Sequence, residues 1–150
     1  MRIVLDTGVL VRANTHSSGP AREVLMAILE GAHALITSAF LLDETARVLR
    51  YPRLLARHGL SEQEIEEHVD YLRRISELVD VVVRKPVVLS DPDDDPVVYT
   101  AVDGGADVLC TRDRDLFQPD VVAFCQENHI AVMNDVDLLR LLAPRPPATP

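Results

Sequence analysis

Carboxylates carry most of the chemistry open to this sequence. Asp6 follows the apolar run Arg2-Ile3-Val4-Leu5, Asp113 follows Val108-Leu109-Cys110-Thr111, and Asp94 lies within Ser90-Asp91-Pro92-Asp93-Asp94-Asp95-Pro96, the densest acid cluster in the chain. Glu44 is placed differently. With Leu41, Thr45 and Val48 it falls at i, i+3, i+4 and i+7, so it shares a helical face with core residues, where an unpaired carboxylate costs on the order of several kcal/mol. Such a group needs a cation, a donor or solvent in a cleft. Four carboxylates gathered at one place repel one another unless cations sit between them, and an oxygen-only site suits Mg²⁺ or Mn²⁺. The chemistry of that arrangement is phosphoryl chemistry, in which a water is activated and charge on the phosphate is stabilised.

Each acid also has a plainer reading. Asp6 can cap the Asp-Thr-Gly turn, Glu44 can sit at the border of its stripe and reach water, and an acid run is commonly a solvated loop. Within that run Pro96 suits the first position of a helix, which makes Asp95 the expected N-cap and leaves Asp94 free to point elsewhere.

The elements that must position these groups follow from hydrophobic spacing. The stretch from Arg2 to Leu10 is organised around an apolar run without polar alternation, as expected for a central strand covered on both faces. A helix starts at Ser18-Gly19-Pro20 and stops at Gly31, and His33–Thr37 reads as a second strand. Ser38 caps the helix that carries Glu44. After a short broken helix over residues 51–59, Ser61 and Glu64 form a capping box for the next helix. Val79–Val83 is expected as a third strand, Val97–Asp103 as a helix, Asp107–Thr111 as a fourth strand, Pro119–Asn128 as a helix, Ile130–Met133 as a fifth strand and Val136–Leu142 as the last helix. This alternation implies an α/β fold, a parallel sheet with helices on both faces. Ligands bind such sheets at the carboxyl ends of the strands. Asp6, Asp113 and the Asp94 cluster all follow strand ends, and Glu44 lies one to two turns into the helix after the second strand, so the four can converge.

With 150 residues and 47% hydrophobic content, a single domain is expected. It should run over residues 1–143, with a Pro-rich disordered tail at 144–150. No stretch approaches the roughly 20 apolar residues of a membrane span, and Met1 leads directly into the first strand, so a cytoplasmic setting and no membrane partner are expected. Two cysteines are too few for a Cys-based zinc site, and the five histidines show no ligand spacing and are expected at the surface or in loops. A net charge of −9 argues against nucleic-acid binding by bulk electrostatics. It does not exclude a nuclease, because carboxylates at a metal site contribute to it and a local basic rim can form from Arg12, Arg47, Arg50, Arg112 and Arg114.

Four segments together resemble the signatures of PIN-domain proteins, in particular those described as toxin components of toxin-antitoxin systems: Leu5-Asp6-Thr7-Gly8-Val9-Leu10, Leu41-Leu42-Asp43-Glu44-Thr45-Ala46-Arg47-Val48-Leu49, Asp91-Pro92-Asp93-Asp94-Asp95, and Gly105-Ala106-Asp107-Val108-Leu109-Cys110-Thr111-Arg112-Asp113-Arg114-Asp115-Leu116. The resemblance implies a three-layer PIN-like (Rossmann-like) fold with a five-stranded parallel sheet. It also implies an Mg²⁺- or Mn²⁺-dependent endoribonuclease acting on single-stranded RNA. Carried over residue by residue, Asp6, Glu44, Asp94 and Asp113 match the acids that hold the metal, with Asp95 as the rival for the third. Thr111 matches a hydroxyl near the site, and Arg112 and Arg114 are the neighbouring candidates for substrate binding. Implied partners are RNA, a cognate antitoxin protein and a second copy of the chain in a homodimer.

One position departs from the pattern. The family has Asn or Ser after Asp-Thr, where this chain has Gly8, so a side chain that would orient the first acid or touch substrate is missing. That departure keeps open a non-cutting PIN-like domain that binds RNA or protein. Two other acid-edged folds fit less well. Haloacid-dehalogenase-like phosphatases need a second Asp at position 8, and phosphate-accepting receiver domains need a Lys near the fourth strand, whereas the only lysine is Lys85.

Overall fold

The computed structural model describes residues 1–144; the Pro-rich segment expected to be disordered lies almost wholly outside the described residues. Five parallel strands form one sheet in the order β3-β2-β1-β4-β5. They are β1 (Arg2–Leu5), β2 (Ala34–Thr37), β3 (Ser76–Leu78), β4 (Val108–Cys110) and β5 (Ala131–Met133). Eight helices flank the sheet in a three-layer α/β arrangement: α1 (Thr7–Arg12), α2 (Pro20–Glu30), α3 (Ala39–Leu49), α4 (Pro52–His58), α5 (Glu62–Ile75), α6 (Asp95–Asp103), α7 (Pro119–Glu127) and α8 (Asp135–Leu142). Short 3₁₀ turns at Pro92–Asp94 and Arg114–Phe117 complete the elements of the described residues.

The centre is β1, whose Ile3, Val4 and Leu5 have no exposed surface because strands flank it on both sides and helices cover both faces. Val4 pairs with Ile36 of β2 on one side and with Leu109 of β4 on the other. From β1 the chain builds outward through β2 and β3, then returns to place β4 and β5 on the other side. The gap beyond the carboxyl ends of β1 and β4 is therefore the topological switch point, where open α/β sheets form their crevice.

One element was not expected and one expectation is corrected. After Leu5 a short helix follows: the Asp6 carboxylate accepts the amide of Val9 at 2.9 Å, the Leu10 amide bonds to the Asp6 carbonyl, and the chain turns into α1. Val9, Leu10 and Val11 are buried on that helix, so their apolar character served a helix and not a strand. The third strand is Ser76–Leu78 and not Val79–Val83. Helix α5 delivers the chain directly to β2, where Ser76, Glu77 and Leu78 pair with Leu35, Ile36 and Thr37. The β-branched run that follows lies past the end of the sheet, with Val82 and Val83 exposed.

His68 also departs from expectation. It is buried on α5, with Nε2 3.0 Å from the Leu10 carbonyl, which ties α5 to α1. Burial lowers its pKa, the ordinary consequence of removing an imidazolium from water.

Candidate active site

Asp6 lies between β1 and α1, and its one carboxylate does two jobs. Its Oδ1 caps the helix through Val9, and its Oδ2 accepts the hydroxyl proton of Thr111. Thr111 follows β4, has no exposed surface, and its oxygen also accepts the Asp113 amide at 2.9 Å. One hydroxyl thus fixes the carboxylate that follows β1 relative to the loop that follows β4. Asp113 caps the 3₁₀ turn by accepting the Asp115 amide at 2.9 Å. Glu44 projects from α3 with its side chain 20% exposed; it accepts a short hydrogen bond from Thr7 and lies 3.4 Å from Arg47. The stripe that placed Glu44 among core residues therefore resolves as a cleft wall with a donor supplied by α1.

The two adjacent candidates for the third acid are placed differently. Asp95 is not the N-cap of α6; it is the first residue of that helix, and Asp94 occupies the cap position without a side-chain capping bond. The Asp95 carboxylate is buried and accepts two loop amides, Val87 at 2.9 Å and Val88 at 2.8 Å. Its work is to anchor the segment before the acid run. That segment is further fixed by Arg84, which pairs with Asp103 at 2.9 Å and stacks over Tyr99. Asp94 points instead toward Asp113 and leaves Oδ2 buried without a hydrogen-bond partner.

Asp6, Glu44, Asp94 and Asp113 line one cleft of about 420 Å³, together with Asp91, Thr7, Gly8, Arg12 and Arg112. Electrostatics there are unfavourable in the metal-free protein. Burial pushes the Asp94 carboxyl up to about 8, helped by the adjacent carboxylate of Asp113 and by the charges of Asp91 and Glu44. Burial also raises Asp6, against the lowering effect of Thr111, Val9 and Arg12. A buried oxygen with no donor, facing three further carboxylates, is the donor set that a hard divalent cation satisfies. Asp91, Asp94 and Asp115 form a second grouping, each offering a carboxylate oxygen within 4.8 Å of the others.

Of the arginines expected at the rim, Arg12 and Arg112 line the cleft. Both lean on Asp135, whose side chain is 1% exposed; Arg112 Nε is 2.5 Å from it and Arg12 is 3.7 Å away. Arg47 sits on Glu44, and Arg50 is turned away onto Glu62 and the Ala46 carbonyl. Arg114 is exposed on the 3₁₀ turn and is not brought to the cleft. Thr111 faces Asp6 from a fully buried position, which makes it a positioning group and not a surface for substrate.

The residues missed from sequence are Asp91, Asp115 and Asp135. Asp135 follows β5 as Asp6 follows β1, so the rule that singled out Asp6 and Asp113 would have found it had it been applied to every strand.

The family model described as PIN domain matches residues 2–115, a span that contains Asp6, Glu44, Asp94 and Asp113. Among solved structures, that titled crystal structure of PAE2754 from Pyrobaculum aerophilum aligns with a TM-score of 0.60 over 97% of this chain and 91% of that one. The two are 16% identical, which makes this a likeness of fold. No curated protein matches the sequence significantly.

Proposed function

Because the chain belongs to the PIN-domain family, whose fold is of the nuclease type, we propose that it is an Mg²⁺- or Mn²⁺-dependent endoribonuclease that cuts single-stranded RNA. The observation that carries this reading is the Asp94 carboxylate, pressed against Asp113 with one oxygen buried and unpartnered at the switch point of the sheet. Asp6, Glu44, Asp94 and Asp113 would hold the ion, which when bound supplies charge neutralisation at the phosphate and lowers the pKa of the attacking water.

The chain's own groups do the rest. Thr111 and the Val9 amide hold both oxygens of Asp6, so the carboxylate keeps its orientation without a rotational search. Thr7 does the same for Glu44. Arg12 and Arg112, braced by buried Asp135, present guanidinium groups at the edge of the acidic cleft, where they can take the phosphates on either side of the cut bond. As biological setting we place the chain as the toxin of a toxin-antitoxin pair, with an antitoxin protein and a second copy of itself as partners; the four signature segments support that placement. No helix among the described residues is long and apolar enough to cross a membrane.

The test is cleavage of single-stranded RNA with Mg²⁺ or Mn²⁺ added and with chelator. Asp6→Asn and Asp113→Asn should each lower the metal-dependent rate about a hundredfold or more while leaving the fold intact. Unchanged rates in both variants would remove the assigned mechanism. A non-cutting PIN-like binder is the second reading, favoured by Gly8; it expects RNA affinity with no metal-dependent products.

A further inference from the structure

A second cleft, of about 340 Å³, opens beside the acidic one and shares two walls with it, Arg12 and Arg112. Its remaining lining comes from Val11 of α1, the start of α2 and the loop before it, α4, and Asp135 of α8. Val11 and Ala21 are buried beneath it and Leu54 is half-buried, so its floor is apolar. Above that floor stand three guanidinium groups, Arg12, Arg57 and Arg112, against the single carboxylate of Asp135. In a chain of net charge −9 this is a local reversal of sign. Arg57 is exposed and has no acidic partner among the described residues.

We propose that this cleft is a subsite for one nucleotide of the substrate strand next to the cut bond, with Arg57 and Arg112 on its phosphate and the base laid on the floor of Val11, Ala21 and Leu54. Three features select that occupant. The volume lies at the lower end of small-ligand sites. Apolar floor and cationic rim match the two halves of a nucleotide, a flat face and an anion. Continuity through Arg12 and Arg112 puts the next phosphate along the strand in the acidic cleft, so both are served by one chain running across the shared wall. A base reaches the floor only when unstacked, which selects single strands over duplex. The inference rests on the nuclease reading above, and it assigns to α4 a role that the acid constellation does not require.

The experiment compares wild type, Arg57→Ala and Arg74→Ala, the last an exposed arginine on α5 that lines neither cleft. A labelled single-stranded oligoribonucleotide is titrated by fluorescence anisotropy in chelator over a series of salt concentrations, and steady-state cleavage is measured with Mn²⁺. Arg57→Ala should weaken binding about tenfold and reduce the slope of log affinity against log salt by about 0.7, the value for one phosphate contact on a single strand. In cleavage it should raise KM about tenfold with a smaller change in kcat. Arg74→Ala should leave both measurements at wild-type values. Affinity, slope and KM unchanged in Arg57→Ala would overturn the subsite while leaving the nuclease reading intact. Arg57-dependent binding by a wild type that cuts nothing would keep the subsite and remove the nuclease reading, and a wild type that binds no RNA would remove both.

Discussion

Asp94 and Asp95 are adjacent acids with opposite roles, and thermal unfolding separates them. Asp95→Ala deprives two amides of their acceptor, Val87 at 6% exposure and Val88 at none. Hydrogen bonds to a charged acceptor contribute about 1.5–3 kcal/mol each, and part of that is recovered because the variant no longer desolvates a carboxylate. A net loss of about 3 kcal/mol follows, or roughly 6–12 °C in Tm for a chain of this size. That loss should be the same with and without metal. Asp94→Ala removes a carboxylate that faces Asp113, Asp91 and Glu44, so the metal-free variant should be as stable as wild type or more so. Divalent metal at a hundredfold excess over its dissociation constant should add about 2.7 kcal/mol to wild type and to Asp95→Ala, and much less to Asp94→Ala. The assay is unfolding of all three proteins in chelator and in Mn²⁺. A metal-dependent gain kept by Asp94→Ala and lost by Asp95→Ala would refute the assignment and exchange the two roles.

The raised carboxyl of Asp94 also sets a pH dependence. Its folded value of about 8 lies above the unfolded value near 3.9, so the folded state holds the proton longer; the stability it contributes is present below about pH 4 and is lost as pH rises toward 8. Asp6, also raised, acts in the same sense, whereas His68, lowered by burial, acts in the opposite one. The comparison is therefore wild type against Asp94→Asn by denaturant titration from pH 5 to 8. The metal-free wild type should lose on the order of 1–2 kcal/mol more, a figure reduced for the solvent that reaches a half-buried group, and Mn²⁺ should remove the difference. A second expectation concerns Gly8, where an added Cβ would meet only Arg12 Nη1 at 3.5 Å and Asp6 Oδ1 at 3.6 Å, ordinary contacts. Gly8→Ser should gain about 0.5 kcal/mol from helix propensity and raise the cleavage rate; a stabilised variant with an unchanged rate would show that position 8 has no part in catalysis.

The sheet was legible because β1 and β4 are short, carry the unbroken apolar runs Ile3-Val4-Leu5 and Val108-Leu109-Cys110, and are followed by acids. Glu44 was legible because a carboxylate within an apolar helical stripe has to be explained. What stayed hidden has a common cause, namely that its partner is remote in sequence. Nothing local reveals that Asp95 serves Val87 and Val88, that Asp135 braces Arg12 and Arg112, or that His68 reaches the Leu10 carbonyl. Helix α1 was hidden for another reason. Thr7–Arg12 is shorter than two full turns, too short for period 3.6 to be told from a buried strand, and only the Asp6 cap decides it. At β3 the β-branched run Val81-Val82-Val83 suggested a strand, but pairing is set by where α5 hands the chain to β2. Strand propensity reports fit to a packed surface, and there the surface had already ended.

The distribution of charge, more than its total, decides whether this chain can meet a polyanion. An acidic cleft alone would repel RNA, and burial together with the neighbouring carboxylates already opposes full ionisation of Asp94. Two arginines at the shared wall would not suffice if they were free to fold back onto Glu44 or Asp113. Asp135 offers both a competing partner. Buried at the start of α8, it holds Arg112 at 2.5 Å and lies 3.7 Å from Arg12, at the cost of desolvating one carboxylate. Arg112 keeps about half of its side chain in solvent, so the pairing fixes its direction without consuming its donors. Removing Asp135 would therefore act on the acidic cleft through geometry, by letting cations neutralise the carboxylates that the divalent ion is needed to neutralise. The segment after the fifth strand contributes no acid to the cleft's lining; its Asp135 supplies the counter-charge that holds the two arginines at the cleft's edge.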